Sequence, residues 1–158
     1  MTITSTTRPT TRPMTGPTTI ARTGVPRSAD DLLVSARRSL TEASIATTSA
    51  ERYAAAHLAA LRAAAAVLAS RGRPSGRRSR VLSVWVLLPQ VAMELGEWAD
   101  FFAASARKRA AAEAGLDCVS HREADDLVRD ADAFLSRVCE FLGVPHQPAM
   151  GSSLLHVG

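Results

Sequence analysis

Apolar side chains recur every three or four residues along most of this chain, the period of a helix that buries one face. The firmest stripe lies toward the C-terminus: Ala124, Leu127, Val128, Ala131, Phe134, Leu135, Val138, Phe141 and Leu142. Ser120 and Glu123 stand in front of it as a capping box, and Gly143 and Pro145 stop it. A second capping box, Thr48-x-x-Glu51, opens a helix predicted to run to about Ser70. Its large apolar residues are Tyr53, Leu58, Leu61 and Leu68, and the rest of its buried face is alanine. Small side chains let neighbouring helices approach, so this element is predicted to be central and packed on more than one side. A first helix spans about Ser28 to Ile45, with Leu32, Leu33, Ala36, Leu40 and Ala43 in its stripe. Ser28 is its N-cap candidate, with Asp30 and Asp31 in the first turn.

Gly72, Pro74 and Gly76 break the helical pattern and predict a loop over Arg71–Arg80. A short turn over Ser83–Leu88 then leads to Pro89, placed at the first position of a helix. That helix carries Val91, Leu95, Trp98 and Phe102 at 4-3-4 spacing, and it either continues or bends near Ser105 before stopping at Gly115. The expected fold class is all-α, an up-and-down bundle of four to five helices.

Composition agrees with this reading and narrows it. The chain has 158 residues, one domain's worth, and 29 of them are alanine while aromatics make up only 4%. Alanine favours helix and disfavours strand, which argues against a β-sandwich or a parallel α/β sheet. Residues 1–27 hold ten Thr, four Pro and four Arg with almost no large apolar side chains, and are expected to be a disordered tail. The bundle is expected over 28–143, with a flexible C-terminal tail over 144–158. The net charge of +4 resides entirely in residues 1–27, because the remainder balances 15 bases against 15 acids. The high isoelectric point is therefore no sign of a nucleic-acid-binding domain. Cys118 and Cys139 form no CxxC, and they predict a reduced, cytoplasmic protein with two buried thiols. The longest apolar run, Tyr53–Ala69, is interrupted by His57 and Arg62 and is expected to be too short to span a bilayer.

No phosphate-binding glycine loop, HExxH, GxSxG or EF-hand pattern is present. Three groups of residues bear chemistry. Arg52 and His57 pair a permanent guanidinium with an imidazole, the two groups needed to cleave a phosphodiester without metal. Five helical steps turn the two side chains about 140° apart, with His57 toward the apolar arc. One phosphate meets both only at a helix end or where two protomers contribute, and the plainer reading is a buried-edge His57 hydrogen-bonded across the bundle with Arg52 solvated in the first turn. Arg73, Arg77, Arg78 and Arg80 in the loop, with Arg107, Lys108 and Arg109 further on, read either as a phosphate-binding surface or as solvated charge. Glu123, Asp125, Asp126, Asp130 and Asp132 lie outside the last helix's apolar arc, laced by the i,i+4 pairs Arg122–Asp126 and Asp125–Arg129. They read as a solvated face, and neither a metal nor another cofactor is expected.

The segments Arg52-Tyr-Ala-Ala-Ala-His57 through Leu68, Ser83-Val-Trp-Val-Leu-Leu-Pro89, Glu97-Trp-Ala-Asp-Phe-Phe-Ala103, Lys108-Arg-Ala-Ala-Ala-Glu-Ala-Gly115 and Arg122-Glu-Ala-Asp-Asp-Leu127 together resemble an actinobacterial branch of the HEPN superfamily (higher eukaryote and prokaryote nucleotide-binding domain). The resemblance covers roughly residues 30–142. It implies a four- to five-helix bundle, commonly a homodimer. Many members are metal-independent endoribonucleases, and others are non-catalytic nucleotide-binding or adaptor domains. The superfamily's signature is an Arg and a His four to six residues apart, a spacing that Arg52 and His57 satisfy. Tyr53 follows the arginine where a polar residue is frequent, and the pair sits on the second helix rather than late in the domain. The leading expectation is a non-catalytic module that binds RNA, a nucleotide or a protein partner. The first alternative is a ribonuclease with His57 as general acid/base and Arg52 stabilising the phosphorane, and the second is a structural partner-interaction domain. No membrane association is expected.

Overall fold

The structure, a computed structural model, describes residues 28–73 and 82–146. The predicted tail over 1–27, Arg77, Arg78 and Arg80 of the basic loop, and residues 147–158 lie outside the described residues. Among the described residues there are five α-helices and no strand. They are α1 (Ala29–Ile45), α2 (Ser49–Arg71), α3 (Val84–Val91), α4 (Gly96–Glu113) and α5 (His121–Leu142), with one 3-10 turn, Met93–Leu95, between α3 and α4.

Local sequence fixes the starts of α1, α2 and α5. Ser28, Thr48 and Ser120 each accept the backbone N–H three residues on, and Asp31, Glu51 and Glu123 reach back to the cap backbone. Each reciprocal box satisfies two of the donors that a helix N-terminus leaves without partners. At the other end, Gly115 (φ 80°) and Gly143 (φ 67°) adopt the left-handed region. The N–H of Leu116 reaches the carbonyl of Ala111, and that of Val144 the carbonyl of Cys139, closing α4 and α5 with the six-to-one bond of a Schellman motif.

α2 is the centre of the molecule, and it packs against α1, α3, α4 and α5. Ala56, Ala59, Ala60, Ala63, Ala64, Ala66 and Val67 are fully buried on it. With Tyr53, His57 and Leu68, these residues sweep about 200° of its circumference, twice the stripe of an ordinary surface helix. By length and composition alone α2 could cross a membrane, which corrects the expectation that the apolar run falls short. Its surroundings explain the apolarity without a bilayer, since four helices cover it.

The aromatic residues close the core on the other side of α2. Phe102 of α4 stacks on Trp85 of α3 (centroids 5.3 Å apart) and on Trp98 (6.1 Å), and it tilts against Phe134 of α5 (5.3 Å). Contacts between long side chains reveal the directions of the helices. Arg71 lies over the Phe141 ring at 4.6 Å while Arg52 meets Asp125, so α2 and α5 run parallel. In a square up-and-down bundle such a pair would sit on the diagonal. Alanine on α2, facing Ala124 and Ala131 of α5, lets the diagonal close, so the bundle is flattened. α4 and α5, neighbours in a square bundle, here keep their backbones further apart than α2 and α5 do. They meet through long side chains instead, Trp98 and Phe102 against Phe134.

The close approach to α2 makes a prediction. Ala60→Leu adds three methyl(ene) groups where no space exists, and is expected to destabilise the fold by about 1–3 kcal/mol. Urea denaturation checks this, and the same substitution at Ala103, exposed on α4, is the control expected to cost little.

The structure corrects four further details. Pro89 is the sixth residue of α3 rather than the first of the next helix. The turn expected over Ser83–Leu88 is helical because Trp85, Leu87 and Leu88 are all buried there. The proline removes one intrahelical bond, the helix ends two residues later, and the 3-10 turn re-aims the chain into α4. The stripe from Val91 to Phe102 is thus split between two elements, and α4 itself runs past Ser105 to Glu113. Cys139 is buried as expected, but Cys118 is exposed, in the turn between α4 and α5.

Candidate functional site

His57 and Arg52 leave α2 in different directions. His57 is 1% exposed. Its Nε2 lies 3.0 Å from the carbonyl oxygen of Phe102, and Trp85 and Phe102 meet its ring edge-on at 5.8 and 5.9 Å. A carbonyl only accepts, so Nε2 carries the proton and the neutral ring presents Nδ1 as a bare acceptor. That Nδ1 is buried without a partner among the described residues. Burial pushes the imidazole pKa below its ordinary 6.5, and the Phe102 carbonyl offsets only part of the shift.

Arg52 sits at the other side of the helix, on its first turn. It donates to Asp125 of α5 at 2.5 Å and to the carbonyl of Ala46 at 3.1 Å, so it straps the α1–α2 turn to α5. Asp125 therefore pairs with α2 rather than with Arg129. Arg129 turns to Asp126 three residues back, and Arg122 stands 4.0 Å from that same carboxylate. The sequence pair Arg52/His57 is not brought together, as the helical angle between them requires.

Most of the described basic side chains are occupied by the fold. Arg62 of α2 donates to the carbonyl of Ser35 (3.1 Å) and to Oγ of Ser39 (2.5 Å), a serine fully buried in α1. Arg37 of α1 reaches Pro145 O at 3.2 Å and Cys139 Sγ at 3.7 Å. Of the predicted basic cluster, Lys108 is bound to Glu123 of α5 and Arg109 to Glu113 (2.9 Å), while Arg107 and Arg73 are exposed. Arg73 lies beside Leu68 and Val84, at the end of α2 remote from Tyr53 and Lys108. Tyr53 and Arg71 are about 27 Å apart along the helix. Among the described residues, Arg73 and the Lys108 cluster therefore do not form one patch on a single chain. Sequence reasoning missed the structural roles of Arg37, Arg62 and Ser39, because their partners lie 23 to 108 residues away.

The separation of α4 from α5 opens a cleft of about 350 Å³. Tyr53 of α2 lies at its base, and Phe101, Ala104, Ser105 and Lys108 form one wall. Glu123, Asp126, Leu127 and Asp130 form the other. The Lys108–Glu123 pair crosses one end. Lys108 and two groups of the Ser120 cap hold the Glu123 carboxyl at about 2, well below its usual range. Burial raises Asp130, and the Asp126 carboxylate beside it raises it further. Among the described residues, no three His, Cys, Asp or Glu side chains converge in a way that would hold a metal ion.

The family model of the SAV_6107-like HEPN domain matches residues 43–139. These residues run from the end of α1 to the last turn of α5 and include the whole cleft. No curated protein matches the chain. No solved structure matches it either. With more than half of its residues covered by one family model and an all-helical bundle beneath them, the chain belongs to the SAV_6107-like HEPN family.

Proposed function

We propose that this HEPN domain is a non-catalytic module that binds a protein partner, with the α4–α5 cleft as its contact surface. The observation that carries this reading is the sealed position of His57. General acid–base catalysis needs a ring within hydrogen-bond reach of the reacting oxygen. Here one ring nitrogen is held by Phe102, the other faces the core, and the nearest strap arginine on the same helix is committed to Asp125. A second protomer does not restore the geometry, because the obstacle is burial of the ring rather than the distance to a cation. The charge of the cleft favours a protein over RNA there, since its rim carries Glu123, Asp126 and Asp130 against Lys108 alone, and Lys108 is engaged by Glu123.

The test is direct. Full-length protein incubated with total RNA in EDTA is expected to leave the RNA intact, as is the Arg52→Ala variant. Arg52 and Asp125 form a partly exposed pair of a kind that contributes about 0–1 kcal/mol, so that variant remains folded. Cleavage by the wild-type chain that Arg52→Ala abolishes would overturn the reading and restore the ribonuclease.

A further inference from the structure

We infer that the α4–α5 cleft receives an arginine side chain from a partner polypeptide. The inference rests on the partner-binding reading and specifies the chemistry of the partner. The trough is apolar along its length: Phe101 is 43% exposed in one wall, Leu127 and Ala104 line it, and the Tyr53 ring lies at the base. Its rim carries three carboxylates against one ammonium. Glu123 is engaged by Lys108, and Asp126 is shared by Arg129 and Arg122. Asp130 has no ion-pair partner among the described residues and stands at the edge of the trough.

Arginine fits both halves of this surface. Its trimethylene stem packs on apolar walls while its planar head stays at a polar rim. The guanidinium stacks on an aromatic face such as Phe101 and makes paired charge-assisted bonds to a carboxylate such as Asp130. Lysine supplies the charge without the fork or the stacking plane. An acidic partner or a nucleic-acid backbone would face the unpaired carboxylate and be repelled. The volume is at the small end of ligand sites, suited to one side chain rather than to a folded element.

The probes are the acetylated, amidated pentapeptide Ala-Leu-Arg-Leu-Ala and its counterparts with citrulline or lysine at the centre. Each is titrated into the full-length protein, and binding is read from backbone amide shifts. The arginine peptide is expected to shift the amides around Ala104, Lys108, Leu127 and Asp130, and to weaken as salt rises. Citrulline keeps the shape without the charge and is expected to bind about tenfold or more weakly. Asp130→Asn is expected to reduce the arginine peptide's affinity to a similar degree. Ala104→Arg, which plants a guanidinium from the exposed wall, is expected to abolish the response. Absence of cleft shifts at millimolar peptide overturns the inference, as does equal binding of the citrulline peptide or indifference to Asp130→Asn. RNA left intact alongside such a result would leave the non-catalytic reading standing and remove only the arginine.

Discussion

Phe102→Ala is expected to cost about 3–5 kcal/mol, a large part of the total stability of a small domain, and to leave a substantial unfolded fraction at ambient temperature. The ring is fully buried and lies at the meeting point of the Trp85, Trp98 and Phe134 rings. It stacks on Trp85 and Trp98, tilts on Phe134, and meets His57 and Phe101 edge-on. Only four Phe and two Trp serve the whole chain, and the opposing face of α2 is alanine, which has no atoms with which to collapse into a void. The cavity should therefore stay open rather than relax. Guanidinium melts of Phe102→Ala and Phe102→Leu measure the effect, with the leucine variant expected to retain most of the stability. A cost for Phe102→Ala below about 1 kcal/mol would mean that the aromatic cluster is not the keystone of the fold.

The second large effect is a loss of stability on acidification that traces to His57. In the unfolded chain this imidazole takes a proton near its ordinary pKa of 6.5, whereas in the folded chain burial disfavours the charged ring and lowers that pKa. Below about pH 6.5 the unfolded state thus binds the additional proton, and stability falls by up to about 1.4 kcal/mol per pH unit until the folded ring itself protonates. Above that range the full contribution is present. Glu123, held at about 2, acts in a separate window, since its contribution is lost only as pH falls below the usual carboxylate range. Denaturant melts between neutral pH and about pH 5 isolate the histidine. His57→Gln keeps a donor for the Phe102 carbonyl but cannot titrate, and it is expected to flatten the dependence in that interval. A His57→Gln profile as steep as the wild type would assign the effect to other groups.

Local signals made most of the fold legible. The capping boxes at Thr48 and Ser120 and the N-cap at Ser28 were readable because both partners of each lie within one turn; that Asp31 completes a third box is shown by the structure. The α5 stripe repeats over six turns, and Gly115 and Gly143 occupy the positions whose positive φ favours glycine. The central place of α2 follows from its alanines, since a face that small can be buried only by close neighbours. Pro89 misled because the preference for proline at a helix start is local, while burial of Trp85, Leu87 and Leu88 is a tertiary demand that tolerates one missing hydrogen bond. The divergence of Arg52 and His57 was readable from the helical angle alone. What each side chain then met was not: Asp125 is 73 residues from Arg52, and Phe102 is 45 from His57. The cleft was equally hidden, because it arises from the flattening that brings α2 and α5 together and holds the α4 backbone away from α5.

All of this turns on whether His57 is part of the core, and the imidazole itself reports that. In a nitrogen–carbon correlation spectrum of histidine-labelled protein titrated from neutral to mildly acidic pH, His57 is predicted to keep the neutral Nε2–H form below its ordinary 6.5 while the rest of the spectrum stays native. A His57 ring that protonates near 6.5 while the rest of the native spectrum stays unchanged would place it in water, and would contradict the account.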